Sequence, residues 1–230
     1  MATCADSSPF KRRSLGGVRM EATAFSPDAS ILAVSVIEGE RTVIELWKTS
    51  SVKTTGEAEQ PLTVLRAANV PGHFLSLAFS TSGAILATAH GVTANHSSIQ
   101  LWGTKTGALL ANVPHQYIVT RLAFLPDAKT LVTCSWGHNL DVWDVTAAAN
   151  LVHIGSIPAH GNEIWALAIT PDGKTLATGC KDGTIKLWSS EIFAGRPGLA
   201  NQLKDPSARS FGLTEQERVL VASTGKFLSF

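Results

Sequence analysis

Apolar and polar residues alternate along most of this chain in short runs, and four groups of runs share one layout. Each group opens with a segment closed by Phe25, Phe79, Phe124 or Ile169, at steps of 54, 45 and 45 residues. A turn follows: Ser-Pro-Asp after Phe25, Ser-Thr-Ser-Gly after Phe79, Leu-Pro-Asp after Phe124 and Thr-Pro-Asp-Gly after Ile169. Next comes a small-apolar run, ILAVS at 31–35, ILATA at 85–89, TLVTC at 130–134 and TLATG at 175–179. A third run ends in tryptophan: VIELW at Trp47, SIQLW at Trp102, NLDVW at Trp143 and TIKLW at Trp188. The first three tryptophans are followed by a further apolar segment, PLTVL at 61–65, ALLANV at 108–113 and NLVHIGSI at 150–157. Period-two alternation gives a strand with one buried face. Asp and Gly between the runs accept the geometry of tight hairpins. The pattern therefore predicts units of four short antiparallel strands. No stretch reads as a capped amphipathic helix, so the chain is expected to be nearly all β.

A lone four-stranded unit buries too little surface to be stable, so the units must stack on one another. Repeats of this length that end in tryptophan resemble the tryptophan–aspartate (WD) repeat family of β-propellers. The resemblance covers about residues 18–190, although only Trp143-Asp144 keeps the literal pair. It implies an all-β WD-repeat β-propeller with four complete blades, at about 18–66, 72–113, 115–157 and 159–190, after an N-terminal segment at 1–17. Residues 191–209 are expected to form a linker or irregular outer strand. Residues 210–230 resemble a partial fifth repeat: Phe211 lies 42 residues after Ile169, and Val219–Ser223 align with TLATG. Four and a half blades imply an open or incomplete ring, completed by a second copy or another chain, or else a truncated gene product.

The resemblance also implies a hydrogen-bond network inside each blade. It joins a His before the first strand, a Ser or Thr in the second, an Asp in the next turn, and the terminal Trp. The fourth repeat supplies His160, Thr178, Asp182 and Trp188. The third supplies His115, Thr133 and Trp143, but has Gly137 at the Asp position. The second has Thr88 and Trp102, with His73 too close to its strand, and the first has only Trp47. Such groups are satisfied buried polar residues, not catalysts. In the family, partner contacts concentrate at the outward positions opening the first strand and at the residue before the turn Asp. Those positions are Arg19 and Glu21, His73 and Leu75, Ile118, Thr120 and Trp136, and Glu163, Trp165 and Lys181. Trp136 and Trp165 fall outside the repeat's own tryptophan position, and tryptophan is enriched at binding hot spots. With Glu163 and Lys181 they form the expected heart of a partner face.

Composition narrows the chemistry. The formal net charge of +1 gives no field to attract nucleic acid or an anionic membrane, and Lys11-Arg12-Arg13 is the one basic cluster. The three cysteines, Cys4, Cys134 and Cys180, form no CxxC pair, so neither a disulfide framework nor a zinc site is expected. This pattern fits a reducing compartment, and the cytoplasm is the expected location. Residues 1–20 lack the apolar core of a secretory signal, and no run reaches the length of a membrane-spanning helix. Neither GxxxxGK[ST] nor GxGxxG occurs, nor does GxSxG or HExxH. His90 and His96 share one loop with no visible third ligand. The resemblance thus implies a non-catalytic scaffold for protein–protein contact, and no cofactor, metal, nucleic acid or membrane partner is expected. The alternative is a sensor or regulatory segment of a larger enzyme.

Overall fold

The chain was analysed as a computed structural model, which describes residues 19–38, 41–51, 60–66, 72–91, 97–147 and 150–189. The segment 1–17, the linker at 191–209, the fifth repeat at 210–230, and Cys4 and His96 lie outside the described residues. Among the described residues fifteen strands form four antiparallel sheets. The first holds β1 (Arg19–Phe25), β2 (Ile31–Glu38), β3 (Arg41–Lys48) and β4 (Thr63–Arg66). The second holds β5 (His73–Phe79), β6 (Ile85–Gly91), β7 (Ser97–Gly103) and β8 (Leu109–His115). The third holds β9 (Val119–Phe124), β10 (Thr130–Ser135), β11 (Asn139–Asp144) and β12 (Val152–Pro158). The fourth holds β13 (Ile164–Ile169), β14 (Thr175–Cys180) and β15 (Ile185–Ser189). In every sheet the strands lie side by side in chain order. The sheets are therefore blades of a β-propeller, stacked through their first strands: β1 on β5, β5 on β9 and β9 on β13.

The core lies between blades, because each blade has two apolar faces. Small and branched residues of one blade meet the larger residues of the next. Ala33, Ile44 and Leu46 pack on Phe74, Leu77, Phe79, Leu86 and Trp102. Ala87, Ala89, Ile99 and Leu101 meet Leu122, Phe124, Leu131 and Trp143 in the same way. Val132, Cys134 and Leu140 meet Ile164, Leu176 and Trp188. The same interlock thus occurs three times. It explains the sequence layout: within the small-apolar run Ala87, Ala89, Val132 and Cys134 face forward, while Leu86, Leu131 and Leu176 face back with the strand-ending Phe and the terminal Trp.

The turn between the first two strands of each blade repeats as well. Its fourth residue has positive φ, at Ala29 (55°), Gly83 (69°), Ala128 (58°) and Gly173 (69°). Turns of successive blades touch there, so a methyl group added to Gly173 would run into the Pro126 ring of the preceding blade. Asp carboxylates close three of these turns, and the Ser82 hydroxyl accepts from the Ala84 amide in the second blade's turn. Asp127 accepts from the Lys129 and Thr130 amides at 2.9 Å each, and Asp172 accepts from Lys174 at 3.0 Å.

Candidate functional site

Each blade opens with a bulge. Pairing of the first strand with the second slips between Met20 and Thr23, between Phe74 and Ser76, between Val119 and Arg121, and between Ile164 and Ala166. A bulge leaves a residue out of the ladder and re-aims its side chain. In the last three blades the residue left out is Leu75, Thr120 or Trp165. Their fates differ. Leu75 is half-buried. Thr120 is 1% exposed, and its hydroxyl donates to the carbonyls of Cys134 (3.2 Å) and of Ile164 in the next blade (2.5 Å). Thr120 is therefore a tie between blades and offers no surface contact, a correction to its place among the expected partner residues. Ile118, at the same opening, is also buried. Trp165 is 44% exposed and its ring turns outward.

Around Trp165 the third and fourth blades build one continuous patch. The Trp136 ring, on the turn after β10, lies 5.8 Å from the Trp165 ring, centroid to centroid, at a tilt of 52°. Trp165 Nε1 donates to Glu163 Oε2 at 3.1 Å, and Lys181 Nζ lies 3.0 Å from the same carboxylate. The hydrogen bond from Lys181, with the weaker one from Trp165, holds the Glu163 acid below the usual carboxylate range. The Trp136 amide donates to the Ile118 carbonyl at 3.0 Å, which fixes the loop. Its indole Nε1 is buried and has no hydrogen-bond partner among the described residues. Tyr117 extends the patch. It is exposed, and its ring lies so close over Gly137 that any side chain there would collide with it. Tyr117 escaped the sequence reading because it precedes the repeat positions on which the alignment rests. Its one signal in the sequence is Gly137, directly after Trp136, where the family pattern has Asp.

The remaining candidates lie on the first two blades. His73 Nδ1 meets Glu21 Oε1 at 2.9 Å, so these two residues pair with each other across the blade boundary. Arg19 begins β1, and its side chain lies outside the described residues.

The internal networks keep the expected residues in the second and fourth blades and recruit a carboxylate from the third strand in the first and third. In the fourth, Trp188 Nε1 donates to Thr178 Oγ1 (2.9 Å), which meets His160 Nε2 at 2.7 Å. His160 Nδ1 reaches Thr184 Oγ1 at 3.1 Å, and Thr184 in turn donates to Asp182 at 2.7 Å. Asp182 thus acts on His160 through Thr184. Burial, then the Lys186 charge, lowers the His160 pKa. In the third blade Trp143 Nε1 donates to Thr133 at 3.0 Å, while His115 Nε2 meets Asp141 Oδ2 at 3.1 Å. The carboxylate missing at Gly137 is supplied from strand β11. Burial alone would lower the His115 pKa, but the bonds to Asp141 and to the Tyr117 carbonyl outweigh it and raise it. In the second blade Trp102 bonds Thr88 at 3.2 Å, and His73 pairs with Glu21 instead. In the first, Glu45 replaces the hydroxyl and accepts from Trp47 Nε1 at 2.9 Å. Among the described residues one group has the composition of a metal site: atoms of His160, Cys180 and Asp182 lie within 4.8 Å of one another. Both ring nitrogens of His160 are already held by Thr178 and Thr184, so an ion there would have to break the blade's network.

Comparison with known proteins gives one consistent picture. The family profile "WD domain, G-beta repeat" matches residues 107–144 and 151–189. Each match starts just before the last strand of one blade and ends at the third strand of the next. Mouse (Mus musculus) WD repeat-containing protein 3 is 25% identical over 194 residues, 83% of this chain and 19% of its own length. Elongator complex protein 2 of Saccharomyces cerevisiae is 30% identical over 117 residues, 48% of this chain and 15% of its own. WD repeat and SOCS box-containing protein 1 of Takifugu rubripes is 30% identical over 130 residues, 56% of this chain and 29% of its own. The chain therefore spans less than a third of the length of these relatives. The crystal structure of the RRP9 WD40 repeats superimposes with a TM-score of 0.59 at 22% identity, over 75% of this chain and 48% of that one.

Proposed function

Because the chain belongs to the WD-repeat family, we propose that it is a rigid, non-catalytic scaffold that holds a protein partner on the loop face of its third and fourth blades. The Trp136–Trp165 pair beside the Glu163–Lys181 ion pair carries this reading. Paired aromatic rings offer a large apolar area with few rotatable bonds, and truncating such residues at interfaces typically costs about 2 kcal/mol or more. A carboxylate and an ammonium at the edge of the rings add direction and select against partners of the wrong charge pattern. Trp136 supports the reading from another side. A buried indole N–H without an acceptor costs about 1–3 kcal/mol, and such costs persist where a group serves function over stability. The fourth-blade bulge points the same way, since it turns the Trp165 ring outward. His73, Glu21 and Arg19 lie along the opening of the first two blades and would serve as secondary contacts. Relatives named for complexes, such as Elongator complex protein 2, favour an assembly role.

Affinity capture from cells that express the protein tests the face. The tagged chain is compared with Trp165→Ala and Glu163→Lys by quantitative mass spectrometry, with Lys129→Ala on a remote turn as control. A shared set of proteins is expected to drop at least tenfold for both face variants and to stay constant for the control. Undiminished recovery by both variants, at an unchanged melting temperature, removes the assignment. The proposal extends to location: buried free thiols at Cys134 and Cys180 suit the reducing cytoplasm. One relative is named for small nucleolar RNA. Imaging the protein tagged at its own locus separates the two, since nucleolar signal would displace the cytoplasmic reading.

A further inference from the structure

Tyr117 is the single tyrosine of the chain, and a histidine two residues before it sets its place on the loop face. His115 Nδ1 lies 2.7 Å from the Tyr117 carbonyl oxygen and 3.2 Å from the Tyr117 amide nitrogen. One ring nitrogen cannot serve both groups in the same state. With a proton it donates to the carbonyl, and without one it accepts from the amide. The shorter contact is to the carbonyl, so the loop stands where a protonated Nδ1 holds it.

Asp141 decides which proton leaves. Its carboxylate faces His115 Nε2 at 3.1 Å, and the two side chains are 9% and 8% exposed. An ionised carboxylate only accepts, so it keeps a proton on Nε2, and the proton that His115 can lose is the one on Nδ1. Ser156 donates to the other carboxylate oxygen, and His153 Nε2 stands 3.5 Å from that same oxygen. His153 is half-exposed on β12, with its ring against Trp143, so the cluster opens to solvent at the outer strand. On β7 the uncharged Ser97 stands opposite His115 in the ladder. On β10 burial, then the Asp141 charge, keeps the Cys134 thiol protonated, against the charge of Arg121 on β9.

Tyr117 is in turn built into the loop face. Its ring occupies the space where a Cβ of residue 137 would stand, and the next carbonyl, that of Ile118, accepts from the Trp136 amide at 3.0 Å. A turn of the Tyr117 peptide groups is thus carried to the loop that holds Trp136. We propose that His115 is a proton-operated switch of the loop face: protonated at Nδ1 it holds the Tyr117 ring over Gly137, and on losing that proton it takes the Tyr117 amide and moves the ring away. This regulation rests on the loop-face reading. It works near neutrality. Burial would lower the His115 pKa, but the bonds to Asp141 and the Tyr117 carbonyl raise it, so the proton stays below 6.5 and leaves as pH rises through the raised value.

Because Tyr117 is the only tyrosine, NMR of the full chain carrying isotope-labelled tyrosine shows one amide and one set of ring signals. Between about pH 5.5 and 8 both are expected to follow one transition with its midpoint above 6.5. The amide proton is expected to move downfield as pH rises, and the NOE from the Tyr117 ring to the Gly137 α protons to weaken. His115→Gln is expected to abolish the transition and Asp141→Asn to move it to lower pH. His138→Gln, at an exposed histidine on the turn after Trp136, is expected to leave it in place. Signals that do not titrate, or a transition that persists in His115→Gln, overturn the proposal. Should Asp141→Asn fail to fold, the parent and His115→Gln still decide. These signals need no partner, so they can fail while the face assignment stands. Affinity capture at about pH 6 and 8 tests the consequence: the parent is expected to lose about threefold more of the shared set at the higher pH than His115→Gln does. Equal loss overturns the regulation even where Trp165→Ala abolishes capture.

Discussion

His115 and His160 precede the second-strand threonine of their blades by the same number of residues, yet their surroundings prefer opposite protonation states. Around His160 a neutral ring gives a continuous chain of donation: Trp188 to Thr178, Thr178 to His160 Nε2, His160 Nδ1 to Thr184, Thr184 to Asp182. Burial, then the Lys186 charge, lowers the pKa and favours this neutral form. His115 faces the Asp141 carboxylate at Nε2 and, at Nδ1, the Tyr117 carbonyl at 2.7 Å, closer than the Tyr117 amide at 3.2 Å, and its pKa is raised. The linkage signs follow. The His115 contribution to stability is complete below the ordinary imidazole value of 6.5 and is lost as pH rises through the raised folded value. The His160 contribution is complete above 6.5 and is lost as pH falls through the lowered one. Burial alone would raise the Asp141 pKa, but the bonds from His115 and Ser156 outweigh it and lower it. Asp141 therefore stabilises above 3.8 and loses its effect as pH falls below that. Urea unfolding free energy between about pH 5.5 and 8 is expected to rise more steeply with pH in His115→Gln than in the parent, and less steeply in His160→Gln. Equal slopes in all three proteins would contradict the assignment. The threonines give a second residue-scale test. Replacing Thr133 or Thr178 by Val strands a buried tryptophan N–H and is expected to cost about 1–3 kcal/mol, read as a lower urea midpoint.

The element scale is where the sequence was most legible. Turn chemistry, period-two alternation and the terminal tryptophans located the strands, because each depends on neighbours within a few residues. What the alignment missed were groups supplied from another strand. Asp141 and Glu45 sit on the third strand of their blades, away from the turn Asp and the second-strand hydroxyl that they replace, so a search at fixed positions passes over them. Thr120 was misread for a related reason. A bulge residue faces outward or inward according to what the next blade offers, and here the Ile164 carbonyl draws it in. The turns themselves can be tested. Ala128 stands at φ 58° where Gly173 stands in the next blade. A side chain in the left-handed region costs roughly 1–2 kcal/mol, partly offset by the backbone entropy that glycine loses. Ala128→Gly is thus expected to stabilise by about 0.5–1 kcal/mol, seen as a higher urea midpoint at unchanged slope. Gly173→Ala is expected to destabilise by more than that amount, since it adds the collision with Pro126 to the strain.

At the scale of the whole molecule each blade packs on its sequence neighbours, so stability is distributed as in a linear array. The second and third blades are covered on both faces: Leu86, Ala87, Ile99 and Leu101 are fully buried, as are Leu131, Val132 and Leu140. The first and fourth blades each have one face with exposed apolar residues among the described strands, shown by Phe25 and Leu187. Amides that open only on global unfolding belong where both faces are covered, and those that open locally belong at the ends. Native-state hydrogen exchange at low protein concentration is therefore expected to be slowest in β6, β7, β10 and β11, and faster in β1, β2, β14 and β15. Uniform protection across all four blades at low concentration would mean that the ends are already covered within one chain, and that the array unfolds as a single cooperative unit.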